Sequence, residues 1–315
     1  MISYGKEMSN VKCQMLNMEA LEIILTTGKV ANQPAPYKKY LVNGVGKRMV
    51  DFVGNLRCVL FWPEDMELVT NSPSRRRKYL DFTLSQVDRE YRRCLLSYER
   101  GLRARNKLLE RIRDENPGGR SQLLFWDQLL IKDGVVLTTK REEFLKFLNS
   151  FQFSVFSFQL EYDKSVISQA RLEEYAQEEV AAGATLVGPH RDDFRIRINP
   201  NKSNPNKSEW GRDLSVFGSR GEQRLAILWL KLAELEFITQ KTGDPSTGST
   251  NSPQASSGQG RPILLLDDIF SELDKDNQDL VTEVIPNQQT IITTTDEKVI
   301  KKEFLEGAKI VKLEI

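Results

Sequence analysis

Pro262 to Asp274, PILLLDDIFSELD, is the stretch on which the fold turns. Four apolar residues, Ile263 to Leu266, follow a proline and stop abruptly at Asp267 and Asp268. A short continuous apolar run fits a strand buried on both faces, the habit of a parallel sheet. In such sheets ligands gather beyond the carboxyl ends of the strands, where these two aspartates stand. One carboxylate can hold Mg²⁺ and its neighbour can orient a water for attack on a phosphate. The same residues also suit a plain turn, with Asp268 opening it or capping a helix.

At 315 residues, with 39% hydrophobic content, the chain suits one large domain or a domain plus an appendage. It has no apolar run near membrane-spanning length. Met1 to Glu7 is neither basic nor followed by an apolar stretch, so no secretory signal is expected. Cys13, Cys58 and Cys94 lie far apart without metal-ligand spacing, which suggests a reducing, cytoplasmic setting. The net charge of +1 excludes nothing by itself.

The charge distribution says more. From about Ser85 to Arg113, Val87, Tyr91, Cys94, Leu95, Tyr98, Leu102, Leu109 and Ile112 share one helical stripe. Arg89, Arg93, Arg100, Arg103, Lys107 and Arg111 point the other way. A second periodic segment, about Ser121 to Ser150, follows Asn116-Pro117-Gly118-Gly119, and the pair reads as an antiparallel helical hairpin, an arm. Between Arg75 and Arg113 thirteen Lys/Arg face five Asp/Glu, with Arg75-Arg76-Arg77 at the head of the run. So long a basic face is the footprint of a polyanion, bound through phosphates, salt-sensitively and with little reading of sequence. A salt-bridged soluble helix is the alternative, but it needs more acids.

Phe217 to Arg224, FGSRGEQR, opens a strongly periodic helix. Ser219 with Glu222 three residues on is a capping box, and Ser219, Gly221 and the positive helix end could equally receive an anion. Thr242 to Gln259 is nearly uncharged and rich in Ser, Thr and Gly, an expected disordered insertion. Strands are expected at 21–25, 40–42, 56–61, 153–162, 290–293 and 309–315, alternating with helices in an α/β layered body. The single His190 lies between Pro189 and Arg191 and reads as a hydrogen-bonded structural residue.

Together these blocks resemble the RecF family of DNA replication and repair proteins, relatives of the structural-maintenance-of-chromosomes ATPases. The likeness spans nearly the whole chain. Pro63 to Asp81 (PEDMELVTNSPSRRRKYLD) fits one family motif, with Asn71 where glycine is usual, and Gly188 to Asp193 (GPHRDD) fits a second without departure. FGSRGEQR has the form of the ABC signature loop, PILLLDD of Walker B, Ser271 to Asp274 of the D-loop, and Ile292 to Asp296 of the switch. The implied fold is α/β: an ABC-type ATPase head with a mixed layered sheet, plus the helical-hairpin arm. Residues 1–84 would be the rest of an N-terminal lobe, 85–152 the arm and 153–315 the C-terminal lobe.

The resemblance also implies site roles. Asp267 would bind Mg²⁺, Asp268 would polarise the attacking water, Thr294 would sense the γ-phosphate, and Glu64 would assist. Ser219, Arg220, Gly221, Glu222 and Gln223 would grip ATP held by a second copy, with Asp274 at the dimer seam. Arg75, Arg76, Arg77, Arg89, Arg93, Arg100, Arg103 and Lys107 would contact single-stranded or gapped duplex DNA. The partners implied are DNA, an ATP-dependent homodimer and recombination mediator proteins, with no membrane, in replication, recombinational repair and the SOS response.

One departure stands out. No G-x-x-x-x-G-K-[ST] occurs in the chain, and Gly44-Val45-Gly46-Lys47 lacks the spacing. An N-terminal strand and phosphate-loop unit, roughly 70 residues of βαβ structure, is expected to be missing. Its absence should leave an open edge beside PILLLDD and a chain that binds ATP poorly without hydrolysing it. The competing readings are a catalytically inactive DNA-binding scaffold and the nucleotide-binding subunit of a transporter, the latter disfavoured by the long basic hairpin.

Overall fold

A computed structural model describes residues 2–15, 19–115, 120–151, 158–198, 211–243, 261–273, 275–296, 300, 305 and 307–312. Asp274, the expected stop at Asn116–Gly119, residues 153–157 of the expected 153–162 strand and nearly all of the expected 242–259 insertion fall outside these residues.

In chain order the strands are β1 (Met8–Gln14), β2 (Ala20–Thr26), β3 (Lys29–Val30), β4 (Gln33–Pro34), β5 (Lys38–Val42), β6 (Val45–Lys47), β7 (Cys58–Phe61), β8 (Phe158–Asp163), β9 (Asp193–Ile198), β10 (Arg212–Asp213), β11 (Ile263–Asp267) and β12 (Thr290–Thr293). The helices are α1 (Met49–Phe52), α2 (Glu67–Thr70), α3 (Pro73–Val87), α4 (Arg89–Glu115), α5 (Leu124–Ser150), α6 (Gln169–Glu174), α7 (Ala176–Ala182), α8 (Leu214–Phe217), α9 (Arg220–Gly243), α10 (Ile269–Glu272) and α11 (Lys275–Val284).

The PILLLDD run forms β11, the middle strand of a parallel trio ordered β12-β11-β7. Leu264 lies opposite Val59 and Leu266 opposite Phe61, and all four are buried in the main core. Removing each such side chain from water is worth about 2 kcal/mol. The expected open edge beside this strand is therefore corrected: β7 occupies one side and β12 the other, and both pairings are in register. The expected last strand is also absent over Lys309–Lys312, which carries no regular structure.

Three further sheets are all antiparallel: β1-β2-β5-β6, β10-β9-β8 and the two-stranded β3-β4. Of Gly44-Val45-Gly46-Lys47, the last three residues are β6 itself, and Gly44 closes with Asn43 the turn from β5, at φ of 78° and 52°. Both values suit a two-residue hairpin turn, and the segment is no strand–loop–helix phosphate cradle. Helix α9 passes through the core. Residues 226–235 are buried all round, because Leu, Ile, Trp and Ala occupy nearly every position.

The basic segment begins a helix earlier than its periodicity predicts. Proline at the first position of α3 starts a helix at Pro73, Asp88 breaks it in extended conformation, and α4 then runs on to Glu115. Helices α4 and α5 pack as the expected hairpin, with Tyr91, Tyr98, Leu109 and Ile112 of the predicted stripe facing inward.

Candidate functional site

Three strand ends converge at one edge of the parallel trio. Asp267 ends β11 opposite Thr293, whose hydroxyl donates a hydrogen bond to Asp267 Oδ1. The chain then turns at Asp268, which adopts a left-handed conformation (φ 49°) and donates its N–H to the Thr293 carbonyl at 3.1 Å. Asp tolerates this region better than most residues, so the paired-acid spelling has a local structural reason. Helix α10 follows at once, anchored by buried Ile269 and Phe270. One residue past the end of β12, the Thr294 hydroxyl donates to the Asp296 carbonyl at 3.1 Å and accepts the Asp296 N–H at 3.2 Å.

On the other flank β7 runs into Trp62 and the turn Pro63–Met66. Glu64 is exposed there, while Asp65 turns inward and accepts the Trp62 N–H at 3.0 Å. Its carboxylate meets Lys231 at 3.2 Å, and Lys231 meets Glu234 at 3.4 Å. Burial holds both carboxyls above their usual range. Burial pulls Lys231 down, yet its two acidic partners outweigh that and leave it raised. Sequence reading missed this trio. Its signal was available in a lysine and a glutamate set inside an otherwise apolar helix.

The edge suits Mg²⁺. This cation prefers one or two carboxylates together with water and phosphate oxygens, and exposed Asp267 offers a hard oxygen ligand there. Among the described residues no cluster of three or more His, Cys, Asp or Glu could hold a metal unaided. Cys58 and Cys94 are free thiols pushed up to about 11 by burial, so neither is a ready nucleophile.

The capping box is built as its spelling predicts. The Ser219 N–H and hydroxyl both donate to Glu222 Oε2, at 2.7 and 2.9 Å, and the Glu222 N–H returns a bond to the hydroxyl at 3.3 Å. Those donors hold Glu222 below the usual carboxylate range. The five residues of the loop part company here. Ser219, Arg220 and Gly221 are exposed, and a Cβ at Gly221 would meet nothing within 4 Å. Glu222 is committed to the cap. Gln223 is buried, its amide donating to the carbonyls of Leu214 and Gly218 at 3.3 Å each, so it tethers the loop from beneath. Beside the open residues, Val216 and Phe217 are 69% and 64% exposed, an apolar rim next to the helix start.

The arginines divide in the same way. Arg89, Arg93, Arg100, Arg103, Lys107 and Arg111 lie exposed along α4. Arg89 reaches Asp51 at 3.5 Å and Arg103 reaches Glu99 at 4.0 Å, while Arg93, Arg100 and Lys107 make no ion pair among the described residues. The expected DNA-contacting run on α3 has partners within the protein. Arg75 pairs with Glu67 at 2.6 Å, Arg76 forks onto Asp193, and Arg77 donates to the Asp192 carbonyl at 2.8 Å.

Arg76, Arg77 and Asp192–Asp193 therefore join the two motif blocks at the base of the arm. Fully buried Asp192 accepts Arg141 at 2.9 Å, Tyr162 at 2.5 Å and the Ser165 N–H at 2.7 Å. Arg141, on α5, also reaches Asp81 at 2.7 Å and the Pro189 carbonyl at 2.7 Å. Further along the arm, fully buried Arg105 is held by Asp127 and Glu179, each at 2.7 Å. Gly188 must be glycine: its φ is 126°, and a Cβ would fall 2.4 Å from the Tyr98 hydroxyl. His190 shares a hydrogen bond with that hydroxyl at 2.8 Å and bonds the Thr185 carbonyl at 3.0 Å, the structural role its setting suggested.

A parallel strand trio ending in paired acids, a capped helix with an open glycine and a hairpin arm define an ABC-type ATPase head carrying an arm. No protein-family model matches the chain. It is 36% identical to DNA replication and repair protein RecF of Herpetosiphon aurantiacus, covering 89% of this chain and 71% of the relative. Against RecF of Roseiflexus castenholzii it is 35% identical, covering 83% and 66%. Against RecF of Thermomicrobium roseum it is 33% identical, covering 93% and 76%. The chain thus spans about two thirds to three quarters of these relatives. A solved structure of the recombination mediator protein RecF-ATP in the RecFOR pathway superposes with a TM-score of 0.74 at 28% identity, covering 93% of this chain and 76% of that one. The corresponding RecF-ATPrS structure gives 0.72 at 28% identity, covering 94% and 77%. This chain belongs to the RecF family.

Proposed function

We propose that the chain acts in DNA replication and repair in the RecFOR pathway, as an ATP-gated clamp on DNA working in the cytoplasm with recombination mediators. The observation that carries this reading is the meeting of Glu64, Asp267, Asp268 and Thr294 at one sheet edge, with Ser219 to Gly221 held open on a separate helix start.

In this reading Asp267 holds Mg²⁺, Asp268 orients the attacking water, Thr294 senses the γ-phosphate and Glu64 assists. Mg²⁺ bound there would neutralise charge developing on the phosphate oxygens. Ser219, Arg220 and Gly221 offer a hydroxyl, a cation and backbone N–H groups to the triphosphate of a second copy, where a helix start favours an anion. Glu222 and Gln223 keep that loop in shape. Asp274 remains the proposed seam residue. Two heads closed on ATP bring two arms together over DNA, gripped by Arg89, Arg93, Arg100, Arg103 and Lys107.

No phosphate loop is present in the 315-residue sequence, so we propose that this chain alone binds ATP weakly and does not turn it over. A scaffold without catalysis, in which the arm still binds DNA, is the second reading that this observation favours. ATPase assay after fusing an upstream phosphate loop separates the two, since only the clamp gains turnover that Asp268→Asn removes. For the nucleotide site itself, titration of the isolated chain is the test, and micromolar ATP binding lost in Asp267→Asn would refute weak binding. For the arm, reversing Arg93, Arg100 and Lys107 to Glu should weaken binding about equally for all DNA sequences and flatten the salt slope.

A further inference from the structure

A second group of exposed cations lies on the antiparallel sheet. At one end of the antiparallel sheet the start of β1, the end of β2 and the start of β5 meet, because Met8 pairs with Thr26 and Leu25 with Lys38. The β3–β4 hairpin is stitched to the same end: Thr27 N–H bonds the Glu7 carbonyl at 3.0 Å, Thr26 N–H bonds the Tyr37 carbonyl at 3.0 Å, and Ala35 N–H bonds the Gly28 carbonyl at 2.9 Å. Lys6, Lys29, Lys38 and Lys39 surround this end, all exposed, and none makes an ion pair among the described residues. Glu7 is the one acid beside them, and its carboxylate is spent on the Ala31 N–H at 2.7 Å. Glu22 lies farther along the sheet, opposite Lys12, and accepts the Asn10 amide at 2.7 Å.

Two aromatic rings stand among these cations. Tyr4 is fully exposed and Tyr37 is 72% exposed. Tyr37 is not a loose side chain. Its ring is seated against Gly28, where φ is +94° and a Cβ would meet the ring at 3.0 Å. Glycine at 28 thus supplies both the backbone angle and the space under the ring. Lys38 and Lys39 alternate to the two faces of the sheet, so their charges straddle the rim that Tyr37 occupies.

We propose that this sheet end is a second nucleic-acid site, and that its ligand is single-stranded DNA. Unpaired lysines attract the phosphate backbone, and exposed rings accept unstacked bases. A duplex keeps its bases stacked and offers those rings nothing. The inference rests on the reading of the chain as a DNA-binding protein and adds a site that the arm does not provide.

The test uses the whole chain, with binding followed by fluorescence anisotropy of a labelled single-stranded 20-mer and of the matching duplex. The variant Tyr37→Ala/Lys38→Glu/Lys39→Glu should lose about tenfold or more affinity for the single strand and distinctly less for the duplex. Its salt slope on the single strand should flatten by about 1.4, two phosphate contacts at about 0.7 each. The conservative variant Tyr37→Phe/Lys38→Arg/Lys39→Arg should bind as wild type, which guards against a folding effect. A 5-iodouracil oligonucleotide should photo-cross-link to Tyr37 or Tyr4, and should still do so in Arg93→Glu/Arg100→Glu. If the sheet-end variant binds the single strand normally while the arm variant loses it, this site is refuted and the arm reading stands. If both strand types weaken equally and no tyrosine cross-links, the single-strand assignment is refuted. Binding to anionic phosphatidylglycerol vesicles without any to the 20-mer overturns it in favour of a lipid surface. If wild type binds neither DNA, both readings fall.

Discussion

Arg76 and Asp193, 117 positions apart in the chain, are joined by two hydrogen bonds of 2.6 and 3.0 Å. The fork ties α3 to the first residue of β9 at the base of the arm, and both side chains are mostly buried. An arginine so engaged has no free face for a phosphate. A paired fork of this kind is shape-specific, and lysine does not reproduce it.

Breaking it should cost stability rather than DNA affinity. Arg76→Met and Asp193→Asn should each destabilise by about 3 kcal/mol, because each leaves its partner unpaired in a poorly solvated place. In urea unfolding the double variant should lose clearly less than the sum, with a coupling of about 1–3 kcal/mol. DNA affinity of folded Arg76→Met should match wild type. A loss of affinity without a loss of stability would return Arg76 to the DNA surface.

How much of this was legible beforehand follows from what each residue must do locally. The β11 strand, the capping box and the inward stripe of α4 are set by neighbours a few positions away, and they formed as read. The fate of Arg76, Arg105 and Arg141 depends on acids 117, 74 and 51 positions distant, and charge counting along the chain does not see such partners. Counting therefore overstated the free charge of the 75–113 segment. The open edge expected beside β11 had another origin, the strand assigned to a missing N-terminal unit. That side is filled by β7, which comes from more than 200 residues earlier and is brought there by tertiary pairing.

His190 makes the joint sensitive to acid. Burial pushes its imidazole down from 6.5 to about 4, with Arg191, Arg77 and Arg105 adding to the effect. Between those values the unfolded chain takes up the proton and the folded chain does not, so stability falls as pH falls. The contribution is complete above pH 6.5 and lost by about pH 4, a total of about 3 kcal/mol. This is the only histidine in the sequence, so its imidazole proton resonance can be followed directly by NMR. It should stay unshifted down to about pH 5. A midpoint near 6.5 in the folded protein would show that the ring is not held neutral.

Lys231 should behave differently. It is buried between Asp65 and Glu234 at 3.2 and 3.4 Å, and Thr83 donates to Glu234 at 2.9 Å. Lys231→Met leaves two buried carboxyls without their cation, which should cost about 3–5 kcal/mol at pH 7. Both carboxyls already titrate above their usual range in the presence of the lysine. Without it they rise further and can shed the penalty by taking protons. The gap between variant and wild type in chemical denaturation should therefore narrow between pH 7 and pH 5. A gap that stays constant would mean that the carboxyls remain charged and solvated.

The loop at the start of α9 offers a way to part its structural from its functional work. Ser219→Ala removes the cap and should cost about 1 kcal/mol. Gln223→Ala should cost a similar amount, about 1 kcal/mol, through two lost bonds to carbonyls. Gly221→Ala has no such cost, since a Cβ there meets nothing and alanine is the better helix former, by up to about 1 kcal/mol. In the proposed clamp, however, a methyl group on that open surface would stand where a second copy's triphosphate approaches. In a chain fused to an upstream phosphate loop, Gly221→Ala should melt at or above the unsubstituted temperature and fail to dimerise with ATP and Mg²⁺ in sedimentation velocity. Dimerisation that survives Gly221→Ala, with Ser219→Ala losing only stability, would reduce the loop to a helix cap and remove it from the nucleotide site.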